Sequence, residues 1–249
     1  MFTDTHCHLY KEYYENLEEI LQHAYENKVN RFIVAGCDGA SNKEVFNLVQ
    51  GYKDIYGCVG IHPEEVLTYK ANDLEEMEKA LASDRILAIG EIGLDYHYGK
   101  ENKELQKELF IKQLEIAKKY KKPVVIHSRD ATQDTIDILK EYSMVKGVIH
   151  SFSGSLEVAK IYINMGYKLG INGVVTFKNS HLKELLPDIK DDIVLETDSP
   201  YLTPHPYRGT PNEPKYILNI ASFVSDYLDI SLEELARITN KNIMSIFDI

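Results

Sequence analysis

Long hydrophobic runs are missing from this sequence. No apolar stretch approaches the roughly 18 to 20 residues that cross a bilayer, and the opening MFTDTHCHLY lacks the charged start and apolar stretch of a secretion signal. A cytoplasmic chain without membrane attachment is therefore expected. Cysteine is scarce as well: Cys7, Cys37 and Cys58 are odd in number and show no CxxC spacing. Reduced thiols in a reducing compartment follow, not a disulfide framework. Positive charge is in deficit, with a formal net charge of −11. That excludes a broad basic face neutralising many phosphates along a nucleic acid, but leaves room for a nucleic-acid end held in a pocket. Linkers rich in Gly, Ser or Pro and close internal repeats are absent too, so residues 1–249 are read as a single domain.

What is present is enough apolar side chain for a sizeable core, 44% hydrophobic against 27% charged residues. It is arranged in short runs: Phe2–Thr5, Arg31–Ala35, Tyr56–Ile61, Leu87–Ile92, Val124–His127, Val148–His150, Tyr167–Ile171 and Ile193–Glu196. Most read as continuously apolar, as parallel strands covered on both faces do. Stretches with helical spacing lie between them: Leu17–Asn27, Lys43–Tyr52, Leu74–Ser83, Leu105–Tyr120, Thr132–Tyr142 and Leu156–Met165. This alternation predicts an α/β fold of the (β/α)8 TIM-barrel class. An open doubly wound sheet is the rival, but no Gly-rich phosphate turn follows the first strand. The segment Pro200–Pro214 reads as an ordered loop, and two helices follow it. The second opens at Ser231 with Glu234 three residues on, a capping-box pattern, and is expected to bury Leu232, Leu235, Ile243, Ile246 and Phe247.

His6 and His8, His62, Glu91, His127, His150 and Asp198 all fall at the C-terminal ends of separate predicted strands. In a (β/α)8 barrel those ends surround one mouth, where active sites lie. Strand side chains alternate, so His6, His8 and Asp4 share a face, as do Glu196 and Asp198. Asp4 and Glu196, deeper in the barrel, are read as residues that orient ligands by hydrogen bonds. Taken singly each residue has a bland reading: packed histidines for His127 and His150, a helix cap for Asp198, solvated surface charge for Arg129 and Arg208. Their shared address favours ligation. Six ligands exceed what one ion with open positions can use, so two divalent ions per chain are expected, drawn from Zn, Mn, Ni, Fe or Mg, with Glu91 as the bridge. Such a pair would add about +4 locally against −2 from two carboxylates, which suits an anionic substrate on an acidic protein.

The segments DTHCHL near the start, GIHPE at 60–64, GEIGLDY at 90–96, VIHSRDA at 125–131, HSFSGS at 150–155, and ETDSPYLTP followed by RGTPNEP at 196–214 resemble the TatD family of metal-dependent deoxyribonucleases. The resemblance covers the chain from end to end. It implies one metal on His6, His8, Glu91 and Asp198, another on Glu91, His127 and His150, and substrate-facing roles for His62, Arg129 and Arg208. It also implies a 3′–5′ exonuclease or phosphodiesterase acting on single-stranded DNA or RNA ends. Asp198, Glu91 and His62 are then the catalytic set, with Asp198 orienting or deprotonating the attacking water. Tyr96, Tyr98 and Tyr201 are candidates to stack on a base. The alternatives are hydrolysis of a small ester, amide or aminoacyl bond, as in a D-aminoacyl-tRNA deacylase, and a metal-binding protein without turnover. A monomer with no obligate protein partner is the expected state.

Overall fold

The strands expected from the short apolar runs all form. In the computed structural model, which describes residues 1–97 and 100–249, β1 spans Phe2–Cys7, β2 Val29–Ala35, β3 Ile55–Val59, β4 Ile86–Asp95, β5 Val124–Arg129, β6 Gly147–Ile149, β7 Lys168–Ile171 and β8 Ile193–Leu195. They follow one another in a single sheet in chain order, β1 to β8. Every recorded strand pair is parallel. A doubly wound sheet would break that order at a switch point; the fold is a (β/α)8 barrel.

The helices are α1 (Leu17–Glu26), α2 (Gly39–Gly51), α3 (Ala71–Ala80), α4 (Lys103–Tyr120), α5 (Thr132–Glu141), α6 (Leu156–Asn164), α7 (Leu182–Ile189), α8 (Ile217–Leu228) and α9 (Leu232–Phe247). Two depart from expectation. Helix α2 starts four residues before Lys43, because Asp38 caps it by accepting a hydrogen bond from Ser41 N at 2.7 Å; its polar first turn carries no apolar period. Helix α7 was not anticipated, as it is short and contains Pro187, which costs a backbone hydrogen bond. In α9 Ser231 accepts from Glu234 N at 3.1 Å as expected, but the Glu234 carboxylate pairs with Arg237 instead of closing the box. Leu235, Ile243 and Phe247 are buried with Ile238, while Leu232 and Ile246 are only half-buried.

The fold divides into two compact units. One comprises Met1–Val34, Ser151–Ile163 and Lys168–Ile249, the other Ala35–His150 and Asn164–Tyr167. In the first, β1 pairs with β2 and β7 with β8. Cys7 also bridges to Ser199 beyond β8, with His8 N donating to Ser199 O at 2.8 Å. In the second, β3 to β6 pair in sequence, and β4 is buried along all ten residues. Close packing of β4 on β5 needs glycine at position 93: its φ is +141°, and a Cβ there would lie 2.0 Å from His127 O.

Three buried amide side chains finish the strand ends of the second unit, where the ladder runs out. Asn42 of α2 bonds both Gly60 N (3.0 Å) and Gly60 O (2.9 Å). Gln113 does the same for Ile61 (2.7 and 2.9 Å), and Gln106 for Asp95 (2.9 and 2.8 Å). Gln106 and Gln113 are seven residues apart, hence on one face of α4. Buried backbone groups left unpaired would cost about 1–3 kcal/mol each; these clamps fix the segments carrying His62 and Asp95.

No described helix is long and apolar enough to cross a membrane. None of the three cysteines forms a disulfide.

Candidate metal centre

In the first unit His6, on β1, and His8, just past it, turn the same way as their spacing requires. Their Nε2 atoms are 3.3 Å apart. Oδ1 of Asp198 lies 3.7 Å from the first and 3.4 Å from the second. Ligand atoms held tetrahedrally at about 2.0–2.1 Å from a zinc ion stand about 3.3 Å from one another, so three basic atoms already sit at ligand spacing. Asp198 is held there by its backbone: φ is +56°, its N–H donates to His6 O at 2.9 Å, and its carbonyl accepts from Tyr201 N at 2.8 Å. Asp is among the residues that tolerate this left-handed conformation. Asn212, fully buried, donates to the carbonyls of Thr197 and Tyr201 and pins the loop from inside.

Asp4 faces inward as expected, but it holds the backbone. Its oxygens accept from His6 N (3.3 Å), Thr197 N (2.9 Å) and Thr197 Oγ1 (2.5 Å). Burial pushes its carboxyl up to about 8, against the lowering pull of the Thr197 hydrogen bonds. Glu196 accepts from Ser151 N at 2.6 Å. Its carboxylate occupies the space above Gly170, where a Cβ would come within 2.2 Å. Both residues brace the chain around the ligands.

In the second unit Glu91, from the middle of β4, is surrounded by histidines. Its Oε1 lies 2.8 Å from His127 Nδ1, 3.6 Å from His62 Nε2 and 3.8 Å from His150 Nε2; Cys37 Sγ is 3.9 Å from Oε2. Glu91, His62 and His127 offer ligand atoms that all lie within 4.8 Å of one another, as do His6, His8 and Asp198 in the first unit. The other nitrogen of His127, Nε2, lies 2.8 Å from Asp95 Oδ2. Burial alone would depress the His127 imidazole, but hydrogen bonds with Asp95 and Glu91 outweigh it and raise its pKa to about 9. Burial likewise tends to raise Asp95, and the bonds from His127 and His97 N hold it below the usual carboxylate range. A cationic ring between two carboxylates is the metal-free form of a site that can take a dication instead.

The expected substrate groups are less uniform. His62 joins the Glu91 cluster, its ring 4.5 Å from that of His127. Arg129 ends β5 and is exposed. Arg208 lies in the exposed loop after β8 with its guanidinium 4.0 Å over the Phe177 ring. Of the tyrosines, Tyr201 is 50% exposed and 6.1 Å from His8 ring to ring. Tyr96 is a correction: it is 3% exposed, and its hydroxyl donates to Asp134 at 2.7 Å, so it has no face to offer a base. Tyr98 lies outside the described residues. Asp95 was missed, although the alternation that places Glu91 on one face of β4 places Asp95, four residues on, on the same face.

A family model described as TatD related DNase matches residues 3–248. The chain belongs to this family. Among curated relatives of this TatD family member, the metal-dependent hydrolase YabD of Bacillus subtilis is 40% identical over the full length of both chains. The metal-dependent hydrolase YcfH of Escherichia coli is 32% identical, with 99% of this chain and 95% of that one covered. Among solved structures, the TatD homolog YjjV of Escherichia coli superposes with a TM-score of 0.94 at 29% identity, covering 100% of this chain and 98% of that one. The protein is a metal-dependent hydrolase on a (β/α)8 barrel.

Proposed function

We propose that the two ligand clusters act as one dinuclear centre that hydrolyses a phosphodiester bond at a single-stranded nucleic-acid end, releasing nucleotides 3′ to 5′. The observation carrying this reading is that His6, His8 and Asp198 in one unit and His62, Glu91 and His127 in the other each bring three ligand atoms within 4.8 Å of one another, with His150 Nε2 3.8 Å from the Glu91 carboxylate, and a (β/α)8 barrel collects strand ends around one mouth. His6, His8, Glu91 and Asp198 would hold one ion, and Glu91, His127 and His150 the other. When bound, two dications lower the pKa of a water toward neutrality and neutralise charge on the scissile phosphate. Asp198 would orient the attacking water and accept its proton. His62 and Arg129 hold the charge that builds on the phosphate, a task suited to the fork of a guanidinium, and Arg208 lies on the loop beyond Asp198 to meet the next phosphate. Tyr201 offers an exposed ring near His8 for a terminal base. In this reading the protein works as a cytoplasmic monomer.

Digestion of 3′- and 5′-labelled single strands by wild type and Asp198→Asn, in Mg, Mn and Zn, tests it. Stepwise loss of the 3′ label by wild type alone is expected. Inert oligonucleotides alongside hydrolysis of an aminoacyl or carboxylic ester would instead identify the acyl bond as the target.

A further inference from the structure

His127 sits opposite Gly93 in the β4–β5 register. Glu91 and Asp95 are the residues two before and two after Gly93, and so lie on the same face of β4. Each supplies one carboxylate to one nitrogen of the imidazole: Glu91 Oε1 at 2.8 Å from Nδ1 and Asp95 Oδ2 at 2.8 Å from Nε2. The two carboxylates differ in their surroundings. Glu91 faces further ligand atoms, Nε2 of His62 and of His150 and Sγ of Cys37. Asp95 faces hydrogen-bond donors: its second oxygen accepts from His97 N at 2.8 Å, and Gln106 locks its backbone from both sides. Asp95 also belongs to none of the ligand groupings at metal spacing among the described residues.

We infer that Asp95 is the positioning residue of this centre, taking the Nε2 proton of His127 in a hydrogen bond so that Nδ1 presents its lone pair to the ion beside Glu91. The inference rests on the proposal that His127 is a metal ligand. A ligating histidine whose far nitrogen is held by a carboxylate is fixed in tautomer and ring orientation, and loss of such a partner costs 10–100-fold in metal affinity. Gly93 is what makes the arrangement possible, because only a residue without Cβ lets β5 approach closely enough for both carboxylates to reach one ring.

Calorimetric titration of the metal-free protein with Zn2+ tests this, with wild type, Asp95→Ala and Asp95→Asn compared. Asp95→Ala is expected to weaken one of two ions by about 10–100-fold and leave the ion of His6, His8 and Asp198 unchanged. Asp95→Asn keeps an acceptor oxygen of the same shape, so it is expected to lose less and to fold if the alanine variant does not. In zinc-loaded wild type, nitrogen-15 NMR should show His127 with a slowly exchanging Nε2–H, lost on substitution of Asp95. Unchanged zinc affinity in both variants, or an Nδ1–H on His127 of the loaded wild type, would overturn the inference. A wild type that binds a single ion would instead sink the dinuclear reading, and the tautomer of His127 would still decide the role of Asp95.

Discussion

The Nε2 atoms of His6 and His8 lie 3.3 Å apart and both face Oδ1 of Asp198. Two imidazole nitrogens and a carboxylate oxygen at that spacing match the separation of about 3.3 Å between ligand atoms set tetrahedrally around one zinc ion.

Removing one of them should therefore cost more than removing an outer partner. His8→Ala is expected to weaken the ion held with His6 and Asp198 by more than the roughly 10–100-fold typical of an outer hydrogen-bond partner. Hydrolysis should fall by about two orders of magnitude or more while the fold persists. Metal analysis after gel filtration, with circular dichroism as the control for folding, checks it.

The metal-free protein should lose stability as pH rises. His127 is pulled up to about 9 in the folded chain, above the unfolded value of about 6.5. Its protonated ring thus contributes fully below about pH 6.5, and that contribution, on the order of 3 kcal/mol, disappears as pH rises through 9. Asp4, raised to about 8 by burial, has the same sign over the range from about 4 to 8. Urea unfolding of metal-free protein at pH 6 and pH 9 is expected to give the lower stability at pH 9; equal stabilities would contradict these assignments.

Gln113→Leu keeps the apolar volume near Ile61 but removes both hydrogen bonds to its backbone. Two buried groups left unpaired at about 1–3 kcal/mol each should lower stability by about 2–6 kcal/mol in urea titration. Activity should fall as well, because the next residue is His62.

Tyr201→Ala tests the aromatic face near His8. If a terminal base stacks there, worth about 1–3 kcal/mol, KM for an oligonucleotide should rise about 5- to 150-fold with kcat little changed, and KM for a small phosphodiester without a base should not move. Equal effects on both substrates would remove Tyr201 from base recognition.

The eight strands were legible because each is a short run of buried apolar residues, and most of the clustered histidines and carboxylates because strand ends and a period of two are local properties. Asp95 shows a limit of attention: the same period contained it. Gln106, Gln113 and Asn42 show a physical limit. An amide on a helix reads as solvent-facing, and only the packed fold reveals that it closes the backbone of a neighbouring strand. Tyr96 fails for the same reason in reverse, since its partner Asp134 is distant in sequence. The start of α2 was hidden by its polar first turn, and Pro187 masked α7.

The central claim, hydrolysis by two ions held by these side chains, is tested most directly by counting and removing them. Purified protein should carry two divalent ions per chain by mass spectrometry. Chelation should abolish hydrolysis and lower the Tm by about 10–20 °C, as expected when two ions bound only to the native state, each at about 100 times its Kd, are withdrawn, and reconstitution should restore both. Undiminished hydrolysis by protein shown to be free of metal would contradict the account.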